Sequence, residues 1–293
     1  MANRLLEPFT ITDGRKFRLK DVDPDDTRGV ESKTRGAERL ASGVERLREL
    51  QGKLYAQGTW ALLLIFQAMD AAGKDSTISH VMSGVNPQGC QVHSFKAPSS
   101  EDLAHDFLWR TTCRLPERGH IGIFNRSHYE EVLAVRVHPQ FLDAQKLPAD
   151  RVTRHIWKER FEDINAFERY LVRNGTVIRK FFLHVSRDKQ RSRLLERIDD
   201  PAKNWKFSMG DLPERAKWKS YMAAYEEVLS ATSTDEAPWF VIPADHKWFT
   251  HALVGEIIVK TLEGLDLAFP TLTPADRRGL RAARRLLEGH GRR

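Results

Sequence analysis

The 293-residue chain is 41% hydrophobic and 30% charged, the balance of a globular protein and not of one buried in lipid. Its longest purely apolar run, Trp60 to Phe66, holds seven residues where a spanning helix needs about twenty. MANRLLEPFTITDGRKF at the N-terminus has no apolar signal core, so a cytoplasmic protein with no membrane partner is expected. The net charge of +7 is concentrated at the end: residues 276–293 carry seven Arg against Asp276 and Glu288, which leaves the rest at +2. A nucleic-acid partner is therefore not expected, because it would need a basic stripe on the folded face itself. Cys90 and Cys113 are the only cysteines and have no His or Cys at metal spacing, so they read as ordinary core residues and not as a disulfide framework or zinc site.

In chain order, residues 34–57 place Leu40, Val44, Leu47, Leu50 and Leu54 at helical spacing, which predicts an amphipathic leading helix stopped by Gly58. TWALLLIFQ (59–67) is a short continuous apolar run of the kind buried on both faces of a sheet. CQVHSF (90–95), HIGIFN (120–125), TVIRKFFLHV (176–185) and PWFVIP (238–243) read as four more strands. Helical patterns at 155–175 and 214–231 separate them. This alternation predicts an α/β fold, a five-stranded parallel sheet with helices on both faces. The expected division is an N-terminal segment with the leading helix at 1–58, an α/β core at 59–270 with a helical lid at about 187–220, and an Arg-rich tail at 271–293.

Directly after the first strand, AMDAAGKD (68–75) nearly matches the Walker A pattern GxxxxGK[ST]. In that pattern, backbone amides and a Lys cradle phosphate at a helix N-terminus. Ala68 stands where the first Gly belongs, and Asp75 where Ser or Thr would meet Mg²⁺. Lys74 and the amides of Ala71, Ala72, Gly73, Asp75 and Ser76 are the phosphate-binding candidates. Asp70 inside the loop would repel phosphate unless a metal sits beside it, which points to Mg²⁺, with Mn²⁺ as a substitute; alone it could be a turn residue bonding its own backbone. HIGIFNRSHYEE (120–131) occupies the Walker B position with Asn125 in place of the usual Asp. Arg126 follows as a phosphate clamp, and Glu131 is a second candidate metal ligand. In 187–207, Lys189, Arg193 and Arg197 fall at i, i+4 and i+8 on one helix face. Without the loop this would be a solvated charged helix paired by Glu196 and Asp199; beside it, the stripe reads as a cationic lid over a phosphate chain.

AMDAAGKD, NPQGCQVHSFKAPS (86–99), IFNRSHYEEVL (123–133), the 187–207 segment and APWFVIPADHKWF (237–249) together resemble the polyphosphate kinase 2 family, in that order, over about residues 35–265. The resemblance implies a P-loop kinase fold like that of thymidylate kinase, and Mg²⁺-dependent phosphate transfer between inorganic polyphosphate and purine nucleotides. It maps Asp70, Lys74, Arg126, Arg193 and Arg197 to functional positions, adds Lys96, Lys203 and Lys206, and implies a homo-oligomer. Asn125 departs from the Asp of many members, and FNRSHYE is similar to a subgroup that accepts nucleoside mono- and diphosphates. Two other readings stay open: an ATP-dependent nucleoside monophosphate kinase, and a non-enzymatic polyanion or RNA-binding module dominated by the Arg-rich end.

Overall fold

The computed structural model describes residues 6–11, 14–30 and 32–289 of the chain. Six strands, β1 (Thr10–Ile11), β2 (Ala61–Gln67), β3 (Cys90–Ser94), β4 (Ile121–Asn125), β5 (Thr176–His184) and β6 (Trp239–Pro243), form one sheet in the order β1-β6-β5-β2-β4-β3. All five expected strands are present, each within two residues of its expected bounds; four are largely apolar runs bounded by turn or helix signals, and β3, CQVHS, is a half-exposed edge strand paired with β4. The count and the parallel arrangement are corrected: β1 is a sixth strand, antiparallel to β6 through Thr10 opposite Phe240 and Ile11 opposite Trp239. Two residues offer no period to read. The strand exists because the open edge of β6 presents unpaired backbone groups and Ile11 finds a buried place beside it.

Eleven helices are described: α1 (Lys33–Gln57), α2 (Lys74–Val81), α3 (Trp109–Thr112), α4 (Ala134–Val137), α5 (Gln140–Asp143), α6 (Ile156–Arg173), α7 (Arg187–Asp199), α8 (Asp211–Ala216), α9 (Trp218–Thr232), α10 (Lys247–Glu263) and α11 (Pro274–Gly289). The Ser32 side chain caps α1 by accepting from the Arg35 amide at 3.2 Å, and Gly58 ends the helix at φ 62°, a left-handed stop that glycine takes without steric cost. Leu47, Leu50 and Leu54 are its buried stripe. α1 packs on α10, which also meets α2; α6 packs on β5 and α9. Every residue of β2 is buried, as expected for a central strand covered on both faces.

The helix expected over 214–231 is two helices, α8 and α9, broken at Lys217. The sequence has no glycine there. The break coincides with side-chain contacts: the Lys217 ammonium bonds His138 Nδ1 at 2.9 Å, and Glu214 of α8 meets His138 Nε2 at 2.9 Å. Neither cysteine is fully buried as expected: Cys90 is half-buried and Cys113, capping α3, is exposed. Much of the Arg-rich end forms α11, exposed along its length, and residues 290–293 lie outside the described residues. Among the described residues no helix is long and apolar enough to cross a membrane.

Candidate active site

β2 delivers the chain to the carboxyl edge of the sheet, and the 68–75 turn then coils into α2. Two residues of that turn take left-handed backbone, Ala71 at φ 59° and Gly73 at φ 112°. A Cβ on Gly73 would meet nothing within 4 Å, so its backbone angle and not lack of space demands glycine. Gly73 is the N-cap of α2 and supplies no side-chain cap, which leaves the first amides of that helix for an anion. Lys74 is only 9% exposed. Its ammonium donates to the carbonyls of Ala68 at 2.7 Å and Met69 at 3.3 Å. Burial, together with the Arg126 charge, pushes the Lys74 ammonium down to about 8.

Asp70 and Arg126, expected separately as metal ligand and phosphate clamp, meet: the Arg126 Nη2 donates to Asp70 Oδ1 at 2.8 Å. Arg126 is reached through a left-handed backbone, φ 64°, immediately after β4. The Glu130 carboxylate, and Asp70 with it, holds the Arg126 guanidinium above its ordinary value despite partial burial. The Asn125 amide donates to the Asp75 carboxylate, so two of the three departures from the Walker patterns are hydrogen-bonded to each other. Ser76 Oγ lies 3.3 Å from His251 Nε2.

The α7 stripe divides into three different environments. Arg193, 6% exposed, donates to the carbonyls of Ala71 at 3.2 Å, Ala72 at 2.8 Å, Ala244 at 2.6 Å and Asp245 at 3.1 Å; it fastens α7 to the 68–75 turn and to the end of β6. Arg197 donates to the Lys206 carbonyl at 3.1 Å and lies 3.5 Å from Asp211 of α8. Lys189 is half-buried, and its ammonium has no hydrogen bond or ion pair among the described residues. The structure does not bring Lys203 to the turn: it pairs with Glu196 at 2.6 Å and Asp200 at 2.8 Å. Lys206 places its ammonium over the Trp205 ring, 5.0 Å from the centroid.

Glu131 is also placed differently from a free metal ligand. It is buried, 3.4 Å from Arg110 and 3.6 Å from Arg160, and accepts from Gln145; burial raises its carboxyl above the ordinary value. Among the described residues no group of three or more His, Cys, Asp or Glu could hold a metal. Asp70, one carboxylate in the 68–75 turn, still fits Mg²⁺, which keeps several waters and is commonly held by one or two carboxylates plus substrate phosphates.

Beside Asp70 and Arg126 opens a cavity of about 380 Å³ that the sequence did not announce. Lys96 lines it, with Phe95, Val135, Phe141, Tyr221 and Tyr225 as the apolar wall and Glu130, His138 and Glu214 as polar groups. The His138 ring stacks on Phe141 with centroids 5.1 Å apart. Tyr221 donates its hydroxyl to Glu214. An apolar, aromatic cleft with a few fixed polar groups suits a flat heterocycle with a polar rim. These residues come from the segment just after β3, the segments around α4 and α5, and α8 to α9, so no local motif marks them; the aromatic spacing in 214–231 is the one available signal.

The sequence model of polyphosphate kinase 2 (PPK2) matches residues 30–269. The chain belongs to the polyphosphate kinase 2 family. A protein of Rhodopseudomonas palustris named ADP-polyphosphate phosphotransferase is 52% identical over 95% of this chain and 97% of its own length. A protein of Meiothermus ruber named AMP/ADP-polyphosphate phosphotransferase is 49% identical over 90% of this chain and 96% of its own. The crystal structure of polyphosphate kinase 2 from Arthrobacter aurescens TC1 superposes with a TM-score of 0.85 at 42% identity, covering 94% of this chain and 96% of that one. The span that matches the polyphosphate kinase 2 family contains the 68–75 turn, the Asp70–Arg126 pair, the cavity and α7 to α8; α11 lies beyond it.

Proposed function

We propose that this member of the polyphosphate kinase 2 family is a Mg²⁺-dependent phosphotransferase that moves a phosphoryl group between inorganic polyphosphate and nucleoside mono- or diphosphates, converting AMP, ADP or GDP to ADP, ATP or GTP. The observation that carries the reading is the joint position of three features. The anion-binding turn with Lys74, the Asp70–Arg126 pair and the aromatic cavity share one mouth, so a base seated in the cavity directs its terminal phosphate toward the turn. The names of the two relatives support the substrate class, and the reading takes 68–75 as a P-loop in a thymidylate-kinase-like fold.

The transfer itself forms one bond from a terminal oxygen of the acceptor phosphate to the end phosphorus of the polyphosphate. It breaks the bond from that phosphorus to the bridging oxygen, leaving the polymer one phosphate shorter. Such a reaction needs alignment and charge neutralisation more than covalent participation by the protein. Lys74 and the first amides of α2 hold the phosphates at the transfer point, and the Arg126 guanidinium faces the charge that builds on the moving group. Asp70, together with the substrate phosphates, would hold Mg²⁺, which supplies further charge neutralisation when bound. Exclusion of water falls to the walls of the cavity and to α7 and α8 above the turn.

The decisive experiment incubates the purified chain with Mg²⁺ and AMP, ADP or GDP, using either long-chain polyphosphate or ATP as donor, and follows products by chromatography. Polyphosphate is expected to support transfer to both mono- and diphosphates. Transfer from ATP alone would make the chain an ordinary nucleoside monophosphate kinase, and transfer from neither would favour a binding module.

The division of the α7 stripe refines what its cations do. Lys189, unpartnered, and Arg197, partly exposed, are available to a phosphate chain, whereas Arg193 is committed to the turn. Replacing Lys189 and Arg197 with Gln preserves helix propensity and is expected to weaken polyphosphate affinity several-fold and flatten its dependence on salt, since fewer counterions leave when fewer phosphates are neutralised. Affinity titrations at several ionic strengths check this; an unchanged salt slope would remove both residues from the polymer track.

A further inference from the structure

The phosphate-binding reading uses Arg126 but leaves the next three residues of FNRSHYE without a task, and all three are fully buried: Ser127, His128 and Tyr129 are each 0% exposed. Arg126 itself is held in left-handed backbone at φ 64°, which a non-glycine residue keeps only where its surroundings over-determine it. On one side the determinant is visible at once: the Arg126 amide donates to the Phe66 carbonyl of β2 at 3.0 Å. On the other side the turn is tied by Tyr129. Its amide donates to Ser127 Oγ at 3.2 Å, and its hydroxyl donates to Glu168 Oε1 of α6 at 2.7 Å.

That hydroxyl is also an acceptor. Lys180 of β5, 0% exposed, donates to the Tyr129 oxygen at 2.9 Å, to Glu168 Oε2 at 2.5 Å and to the Thr232 carbonyl at 2.7 Å. The Tyr129 ring is fixed as well, edge to face with Trp239 of β6 at 4.8 Å. α6 and β5 therefore meet at one phenol oxygen three residues from the guanidinium that pairs with Asp70, and the end of α9 joins them through the Lys180 ammonium. A buried ion pair is a costly way to stabilise a fold, and this one ends on the turn that carries Arg126.

We infer that Tyr129 is a positioning residue: anchored by the buried Glu168–Lys180 pair, it holds the 126–131 turn so that the Arg126 guanidinium stands over the transfer point. The inference rests on the proposed role of Arg126. It predicts that Tyr129 acts through Arg126 and through nothing else in the site. A hydroxyl removed here lets the turn relax, and misplacement of a catalytic group by a fraction of an ångström is felt in turnover more than in binding.

The test is a double-mutant cycle on the full chain with polyphosphate and ADP as substrates. Tyr129→Phe is expected to lower kcat on the order of tenfold with little change in KM for ADP. In an Arg126→Ala background the same substitution is expected to change kcat by no more than about twofold, because residues acting as a unit are not additive. An Ile164→Val variant in the same α6 helix, matched to Tyr129→Phe in melting temperature, is expected to keep wild-type turnover. If Tyr129→Phe does not fold, as judged by circular dichroism, Glu168→Gln takes its place in the cycle, since it retains shape and an acceptor oxygen. An unchanged kcat in the single variant, or an equal loss in both backgrounds, overturns the inference. Neither result touches the proposed reaction, which fails only if the wild-type chain transfers no phosphate from polyphosphate.

Discussion

Lys74→Ala lowers the rate of phosphate transfer on the order of a hundredfold or more while the melting temperature barely moves, because a preorganised charge is lost from the transfer point. Among the described residues its ammonium bonds only the Ala68 and Met69 carbonyls of its own turn, so its loss is expected to leave the fold in place. A pH signature accompanies the loss. With the ammonium pushed down to about 8 by burial and by Arg126, part of the unliganded protein carries a neutral Lys74 above that pH. An arriving polyanion favours the charged form, so polyphosphate affinity rises as pH falls through about 8 and binding takes up a proton. Calorimetry in buffers of different ionisation heat reads the uptake, and the alanine variant should lack it. Near-normal turnover in that variant would end the assignment of the 68–75 turn as a phosphate cradle.

The second large effect is on stability. Lys180→Met leaves the Glu168 carboxylate buried without its cation and takes a donor from the Tyr129 hydroxyl and the Thr232 carbonyl. Breaking one side of a buried pair costs about 3–5 kcal/mol, a fall in melting temperature on the order of 10 °C for a chain of this size. Joining Glu168→Leu to Lys180→Met removes both charges and should recover most of that loss, since apolar groups of similar volume replace buried pairs well. Thermal unfolding of the three proteins checks the order. A single Lys180→Met variant that melts like wild type would show that the pair holds nothing together.

The strands and the 68–75 turn were legible because their signals are local: TWALLLIFQ is a closed apolar run, and Gly73 and Lys74 stand where the next helix begins. What escaped was set by contacts distant in sequence. The sequence offers Asp70 as a metal ligand and Arg126 as a phosphate clamp, yet nothing in either segment says that they pair across 56 positions. Glu130 and Glu131 are neighbours with opposite surroundings, the first beside Arg126 and the second buried between Arg110 and Arg160, and sequence spacing cannot choose between adjacent residues in an irregular turn. The family resemblance adds Lys203 to the site, whereas its acids, Glu196 and Asp200, lie seven and three residues before it and claim it locally. The cavity was invisible because its wall is gathered from four separate stretches of chain. Lys180 was hidden for the opposite reason: it sits in the middle of an apolar strand run, where a lysine normally signals an edge or a solvent face.

Arg193 has a mechanical consequence for how the enzyme can open. One guanidinium joins the second turn of α7 to the carbonyls of Ala71, Ala72, Ala244 and Asp245, and Gln190 adds a bond to the Asp70 carbonyl at 3.0 Å. A swing of α7 as a rigid rod would have to break all five bonds at once, and the carbonyls left behind are buried away from water. The ties on either side of Arg193 are different: beyond it Arg197 holds the Lys206 carbonyl and Asp211, and before it Arg215 of α8 donates to the Arg187 carbonyl and to Gln190 Oε1, each at 2.8 Å. The first half of α7 is thus fastened both to the 68–75 turn and to α8, and any movement of the helix is expected at its far end.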